Sequence, residues 1–184
     1  SSAASDVYKR QSGYNTCAWA SPECIKLCLN TAGRGAMESV QSARISKTVY
    51  MVNHPYEFMW SMLLEMISAM KSANKTGSKL AIRLNGTSDI PWESVAPFIE
   101  GLCIGGSYAG LIQSLAPYPK FHLYDYTKSF ARANKSLPWY DMTLSFSGHN
   151  WEECKNVLDN KTSRVAMVFS NFIPEEYCGY EVVN

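Results

Sequence analysis

Four short apolar runs, separated by stretches long enough for a helix, constrain the fold of this chain more than any other feature. They span residues 79–84, 121–126, 142–146 and 164–169. Neighbouring parallel strands need a crossover of about a dozen residues or more, and the polar turns between these runs fit that requirement. The sequence therefore predicts an α/β fold, either a partial TIM-barrel-like sheet or an open, mostly parallel sheet.

Two helices are predicted ahead of the sheet. Residues 37–51 place apolar side chains near one face of a helix. A second helix is predicted from a cap at Asn53 to about residue 73, and its methionine-rich face is typical of core filling rather than cofactor binding. A later helix start at Asn150, with Glu153 three residues on, has the pattern of a capping box.

Polar side chains follow each predicted strand at its carboxyl end. Because binding sites in parallel sheets form at these ends, we expect the side chains to converge on one rim. They are Arg83, Asn85, Ser88 and Asp89 after the first strand, Asp125, Tyr126, Thr127 and Lys128 at the second, Ser145 and Ser147 at the third, and Ser170 and Asn171 at the fourth.

Cys17, Cys24 and Cys28 form a C-x6-C-x3-C motif in a loop rich in small polar residues. Thiolates are soft ligands that select zinc, copper(I) or iron–sulfur clusters. Structural zinc commonly uses two cysteine pairs, and a second pair is absent from this sequence. Three thiolates on one loop better suit a [4Fe–4S] cluster whose fourth iron takes another ligand or stays open. Zinc completed by a histidine, or buried cysteines without metal, are the alternatives.

The other cysteines are scattered along the chain, and this uneven spread favours a metal site in a reducing compartment over a disulfide framework. Gly33 and Gly35 would let backbone N–H groups approach a cluster held in the same loop. Arg34 would pair with the charge of the cluster or with an anionic ligand; its alternative role is an exposed charge at a helix start.

Composition excludes several classes of protein. With 46% hydrophobic and 18% charged residues in a chain of 184, the protein is globular rather than disordered. A net charge of +1 and the lack of a basic stripe argue against a nucleic-acid partner. No apolar run is long enough to cross a bilayer, so no membrane partner is expected. The sequence has no P-loop, G-x-S-x-G or H-E-x-x-H motif.

Residues 1–11, SSAASDVYKRQ, match the translation of a transposon-based sequencing adapter. We therefore interpret them as a non-native tail on a gene recovered from bulk, metagenomic sequence, and exclude them from the fold. Residues 12–184 are predicted to form a single domain, with residues 12–36 as the cluster-binding loop. The absent natural start, and a last segment that has the pattern of an interrupted strand, suggest truncation at both ends.

Several longer motifs resemble one known family. They are CLNTAGRG at the third cysteine, SVQSARISKT, RLNGTSDIPWES, YDYTK, TLSFS and VAMVF, and they run from about residue 14 to residue 169. This set resembles the bacteriophage family called gene product 88. The resemblance implies a viral protein made in the cytoplasm of a bacterial host.

The motifs are also distantly similar to radical SAM-like phage proteins, in which a cysteine loop lies beside a TIM-like barrel. The cysteine spacing here differs from the C-x3-C-x2-C of radical SAM enzymes, and no strand precedes the loop. An Arg and a Lys near two Asp residues would bind a small zwitterion such as S-adenosylmethionine, whose amino and carboxylate groups would chelate the open iron of a [4Fe–4S] cluster. Cofactor binding is predicted for Arg34, Arg83, Asn85, Asp89, Asp125, Tyr126 and Lys128.

Each of these residues has a structural alternative. Asp89 would otherwise cap a helix. Arg83 and Asp125 would otherwise form a buried pair, and Tyr126 would belong to the core. The sequence therefore leaves two functions open: a cluster protein with redox or radical SAM-like activity, and a non-catalytic phage protein with a structural zinc or cluster site.

Overall fold

The computed structural model describes residues 12–26, 28, 30, 32–94 and 121–183; residues 1–11, interpreted above as a non-native tail, lie outside these ranges. The helices are α1 (Pro22–Lys26), a 3-10 helix (Gly33–Ala36), α2 (Glu38–Asn53), α3 (Pro55–Thr76), α4 (Phe130–Ala133) and α5 (Trp151–Asp159). The strands are β1 (Leu80–Arg83), β2 (Phe121–Thr127), β3 (Asp141–Ser145), β4 (Arg164–Ala166), β5 (Glu176–Tyr177) and β6 (Tyr180–Glu181).

Strands β1 to β4 form one parallel sheet in sequential order, β1-β2-β3-β4. This arrangement confirms the predicted α/β class with a mostly parallel sheet. Over the described residues the sheet is open, because β1 and β4 form its two edges. Strands β5 and β6 pair with each other as a separate antiparallel hairpin. All four parallel strands end at the same side, which we call the carboxyl edge.

Helices α2 and α3 follow each other with one residue between them. Asn53 is the last residue of α2, so the prediction that it caps the next helix is wrong; His54 occupies the N-cap of α3. Pro55 then opens α3 at a position where its missing N–H costs nothing. Gly77 ends α3 in the left-handed conformation, with φ of 69°.

Helix α3 contributes the methionines of the main core. Met59 and Met66 are buried in one cluster with Leu123, Tyr140 and Met142. Leu123 lies on β2, Met142 lies on β3, and Tyr140 directly precedes β3. The methionine-rich face therefore fills core space, as the sequence predicted.

Helices α4 and α5 build a second, smaller core cluster on β3, formed by Ala133, Leu144, Cys154 and Val157. Asn150 occupies the N-cap of α5 but makes no side-chain capping bond. Its Oδ1 instead accepts hydrogen bonds from the backbone N–H and the hydroxyl of Ser147, at 2.7 and 2.9 Å. The predicted capping box is therefore wrong, because the preceding turn takes the asparagine oxygen.

Candidate metal centre at the carboxyl edge

The cysteine loop, residues 12–36, is folded by short-range hydrogen bonds around its thiols. The N–H of Cys17 donates to Oδ1 of Asn15 at 3.0 Å, and the N–H of Cys24 donates to the hydroxyl oxygen of Ser21 at 3.2 Å. Asn and Ser commonly hold turns in this way. Cys24 lies in the short helix α1, and the N–H of Cys28 donates to the carbonyl of Ile25 just after it.

A cavity of about 400 Å³ opens between the cysteine loop and the carboxyl edge of the sheet. Cys17, Cys24 and Cys28 all line it, and each is half-buried. The rim residues that line the same cavity are Arg83, Ser88, Asp89, Tyr126, Thr127, Lys128, Ser145 and Ser147. The structure thus brings the cysteine motif together with residues that follow three different strands.

Three of the predicted cofactor-binding residues lie elsewhere. Asn85 and Asp125 are fully buried and are not among the residues lining the cavity. Arg34 is exposed in the 3-10 helix and does not line the cavity either. Asn85 and Asp125 are therefore buried supporting residues, whereas Arg34 is exposed and does not face the cavity.

The anchor loop, residues 84–94, holds the cysteine loop against the sheet. The backbone N–H of Asp89 donates to the carbonyl of Thr16 at 2.8 Å. The thiol of Cys17 donates to the carbonyl of Thr87 at 3.4 Å. Both contacts join segments about 70 residues apart in the sequence, so the motif RLNGTSDIPWES serves as a docking surface for the first cysteine.

Asn85 gives the anchor loop its shape. Its Oδ1 accepts hydrogen bonds from the Ser88 hydroxyl (2.8 Å), the Ile90 N–H (3.0 Å) and Nε1 of Trp92 (3.2 Å). Its Nδ2 donates to the carbonyl of Ile90 at 3.0 Å. A buried amide with these bonds has its oxygen fully occupied, so its contacts indicate a supporting role rather than direct ligand binding.

Asp125, on β2, connects the anchor loop to the sheet through its carboxylate. Its Oδ2 accepts from the N–H of Asn85 (3.0 Å) and the hydroxyl of Tyr140 (2.7 Å), and its Oδ1 accepts from the N–H of Tyr126 (3.0 Å). Arg83 places its Nε 3.5 Å from Oδ1. Burial raises the pKa of Asp125 above its ordinary value, although all four donors act in the opposite direction.

Arg132 is the main supporting residue that the sequence did not reveal. It is 3% exposed, donates through Nε and Nη2 to the two carboxylate oxygens of Glu93 at 2.8 and 2.9 Å, and pairs with Asp89 through Nη1. Asp89 also accepts from the Thr127 hydroxyl and the Lys128 N–H, both at 3.0 Å. Asp89 is therefore not a helix cap but part of a buried ionic cluster.

This ionic cluster has almost no signal in the sequence. Arg132 lies between two alanines in a helix of four residues, which is too short to show any periodicity. Its carboxylate partners lie 39 and 43 residues away. An ion pair formed across that separation follows from the tertiary fold and not from a local pattern.

The cavity contains both uncharged thiols and cationic groups. Burial, with further contributions from Asp89 and the two other cysteines, raises the pKa of Cys17 to about 11. Burial also raises the pKa of Cys24, and the nearby Lys128 opposes that rise. Metal-free Cys17 is therefore a neutral thiol at pH 7, and ligation by it releases a proton.

Lys128 and Arg83 are the cations that line the cavity among the described residues. The ammonium of Lys128 donates to the carbonyl of Phe146 at 3.1 Å. The guanidinium of Arg83 lies over the ring of Tyr126, with Cζ 4.7 Å from the ring centroid, which is a cation–π geometry. These groups supply positive charge where an anionic centre would lie.

Within the described ranges, no three His, Cys, Asp or Glu side chains are grouped closely enough to hold one metal ion. His122 pairs with Asp141, and His149 lies 3.8 Å from Glu23, which lines the cavity. A [4Fe–4S] cluster takes its protein ligands on separate irons, so its donors do not have to converge on one ion.

In the described part of the chain, none of the cysteines Cys17, Cys24, Cys28, Cys154 and Cys178 forms a disulfide. Cys154 is buried in the second core cluster, where burial raises its pKa to about 11, whereas Cys178 is exposed. No helix described is long and apolar enough to cross a bilayer.

Comparison with family profiles places the chain in a family of phage proteins. Residues 2–184 match the profile described as Gene product 88. The chain belongs to the gene product 88 family, which confirms the family predicted from its motifs. No curated protein and no solved structure showed a significant match. The origin of residues 1–11 as an adapter-derived tail stays a prediction.

Proposed function

We propose that this protein binds a [4Fe–4S] cluster through the thiolates of Cys17, Cys24 and Cys28. The observation that carries the proposal is that all three thiols line one cavity at the carboxyl edge of a parallel sheet. Soft thiolates select such clusters, and carboxyl edges are where parallel sheets place their sites. The reducing cytoplasm of a bacterial host would keep the thiols available for iron.

The cavity leaves room for a small ligand beside the cluster. Arg83, Asp89, Tyr126 and Lys128 line it, and the described lining supplies no fourth cysteine and no histidine. A zwitterion such as S-adenosylmethionine fits this mixture of charges, with its carboxylate near Lys128 or Arg83. Redox or radical SAM-like chemistry would follow from such binding. Arg34 stays outside the proposed site, because it does not line the cavity.

A second candidate is a non-catalytic protein in which a cluster or zinc only fastens the cysteine loop. The docking contacts of Thr16 and Cys17 on the anchor loop favour it, since a metal bound there would stabilise the folded state. The two functions differ in their predicted coordination. The first requires an iron that exchanges ligands, whereas the second requires a closed site.

The decisive experiment is anaerobic purification and reconstitution, followed by iron, sulfide and zinc assays and an absorption spectrum. We expect broad absorption near ~400 nm and acid-labile sulfide in the wild type, and loss of both in Cys17→Ala, Cys24→Ala and Cys28→Ala. Cys178→Ala is the matched control, because Cys178 is exposed and does not line the cavity. It should keep the full cluster content.

The outcomes separate the candidates. Stoichiometric zinc without sulfide would replace the cluster by a structural metal site, and metal-free protein under all conditions would refute both proposals. If the cluster forms, S-adenosylmethionine is added and the electron paramagnetic resonance spectrum of the reduced protein is recorded. A changed spectrum in the wild type but not in Lys128→Met would support ligand binding at an open iron; an unchanged spectrum would favour the closed site.

A further inference from the structure

Arg132 joins three segments of the chain that meet under the cavity. It binds Asp89 and Glu93 of the anchor loop, and its Nη1 lies 3.5 Å from the Thr127 hydroxyl at the end of β2. Its guanidinium also lies 5.9 Å from the ring centroid of Trp19, which stands between the first two cysteines of the motif. Arg132 itself does not line the cavity.

The anchor loop connects Arg132 to Cys17, because it contacts both. The N–H of Asp89 donates to the carbonyl of Thr16, and the carbonyl of Thr87 accepts from the Cys17 thiol. Asp89 is thus bound by Arg132 through its carboxylate and to the cysteine loop through its backbone. The N–H of Cys24, by contrast, donates within the cysteine loop, to the hydroxyl oxygen of Ser21 at 3.2 Å.

Stability alone does not explain the buried ionic cluster that Arg132 forms with Asp89 and Glu93. A buried arginine with two carboxylates loses hydration that its ion pairs only partly restore, and apolar replacements of such clusters are often neutral or stabilising. Its bidentate geometry with Glu93, however, fixes direction as well as distance. An ion pair that fixes the direction of its side chains suits a site in which one metal ligand is held in place by residues distant in the sequence.

We propose that Arg132 is a positioning residue for Cys17: it sets where the first thiol of the motif stands relative to the other two. The inference rests on the proposed function in taking Cys17 as a metal ligand. It predicts that weakening the Arg132 cluster releases Cys17 selectively, and that a cluster assembled on the released loop has a different electronic environment.

The first test uses the metal-free, full-length protein and follows alkylation of each cysteine by mass spectrometry at fixed pH. Arg132→Lys keeps the charge but loses the fork that binds Glu93 and the flat face near Trp19. We expect alkylation of Cys17 to become about tenfold faster, as for a local opening, while Cys24, whose N–H donates within the cysteine loop, changes little. Cys154 should stay protected and Cys178 should react as in the wild type.

Arg164→Lys is the matched control. Arg164 also pairs with an aspartate, Asp141, but its side chain is 68% exposed and it begins β4, at the opposite end of the strand from the cavity. Glu93→Gln is the milder second variant, and it decides the question if Arg132→Lys does not fold. Unchanged alkylation of Cys17 in a folded variant would overturn the proposal, as would an equal rise at Cys17 and Cys154, which indicates general loosening.

The second test loads the same variants with iron and sulfide and records the electron paramagnetic resonance spectrum of the reduced protein. Arg132→Lys should give shifted g-values or a lower cluster content, whereas Arg164→Lys should match the wild type. A fully loaded Arg132→Lys with the wild-type spectrum would contradict the inference. If the wild type binds no metal, the proposed function fails, and the alkylation result still decides the role of Arg132.

Discussion

Asp125 shows how a buried carboxylate can stabilise a site and still make the protein sensitive to pH. It is fully buried, and it joins the anchor loop, Tyr140 and Arg83. Burial nevertheless raises its pKa above the ordinary value of 3.8. The native state therefore binds a proton at this group more tightly than the unfolded chain does.

The sign of the effect follows directly. A raised native pKa adds stability that is fully present below pH 3.8 and is lost as the pH rises through the native value. Asp125→Asn removes this titration. We expect the free energy of unfolding of the wild type to fall, relative to that of Asp125→Asn, as the pH rises above 3.8 and through the raised native pKa of Asp125.

Urea unfolding of both proteins across this range measures the difference. The amide also turns a donor toward Tyr140 and Asn85, which lowers stability, but that cost does not depend on pH. Only the change of the difference with pH is therefore diagnostic. Parallel stability curves for the two proteins would show that the pKa of Asp125 is not raised in the native state.

At the scale of single residues, the sequence predicted which side chains face the cavity better than it predicted which ones support them. Cys17, Cys24, Cys28, Arg83 and Lys128 were predicted from ligand chemistry and from their place after a strand, and they line one cavity. The buried residues that support the cavity, such as Arg132, could not be predicted in the same way. Local motifs report the types of side chain, whereas burial and pairing depend on elements that are distant in the sequence.

At the scale of elements, apolar runs located the strands, and capping patterns were less dependable. Strands β1 to β4 all lie within the predicted runs, to within one residue at either end. The asparagine caps failed because helix α2 continued through Asn53 and because Ser147 took the oxygen of Asn150. Short polar side chains have several local partners, so a pattern cannot tell which one they choose.

Gly77 is an element-scale feature whose energy can be isolated. It ends α3 with φ of 69°, and a Cβ built on it would meet no atom within 4 Å. Gly77→Ala should therefore lower stability through backbone strain alone, by about 1 kcal/mol. Gly86→Ala is the control, since its surroundings are equally open and its φ is not left-handed.

Chemical denaturation of the two variants gives both values on one scale. The Gly86 variant should lie within about 0.5 kcal/mol of the wild type. Equal losses in both variants would mean that the left-handed conformation is not what makes Gly77 necessary. An unchanged Gly77 variant would mean that α3 ends differently in solution.

At the scale of the whole molecule, the sequential parallel sheet sets up two cavities at opposite edges. One holds the cysteines, and the other, of about 590 Å³, adjoins Tyr140, Asp141, Lys161 and Arg164. Sites in parallel sheets form at the carboxyl ends of strands, while the opposite edge mainly serves stability. This asymmetry is why the cysteine cavity carries the functional proposal.

Metal binding should be visible in the stability of the whole protein. A ligand that binds only the folded state at a concentration 100 times its Kd adds about 2.7 kcal/mol. Reconstituted wild-type protein should therefore melt at a higher temperature than chelator-treated protein. The gain should vanish in Cys28→Ala and persist in Cys178→Ala, as measured by calorimetry. A gain that survives in Cys28→Ala would place the metal elsewhere.

The cysteine loop docks on the anchor loop and, through Trp19, on Arg132. Its folding therefore depends on residues that are synthesised after it. Cys17 leaves the ribosome about 115 residues before Arg132. At ~5–20 residues per second, the thiols wait on the order of ten seconds before their scaffold exists. During that interval they are exposed to oxidants and to competing metals. If the proposed cluster forms, its assembly on the finished scaffold can begin only after Arg132 has been synthesised, and oxidation of the thiols before then would lower its yield.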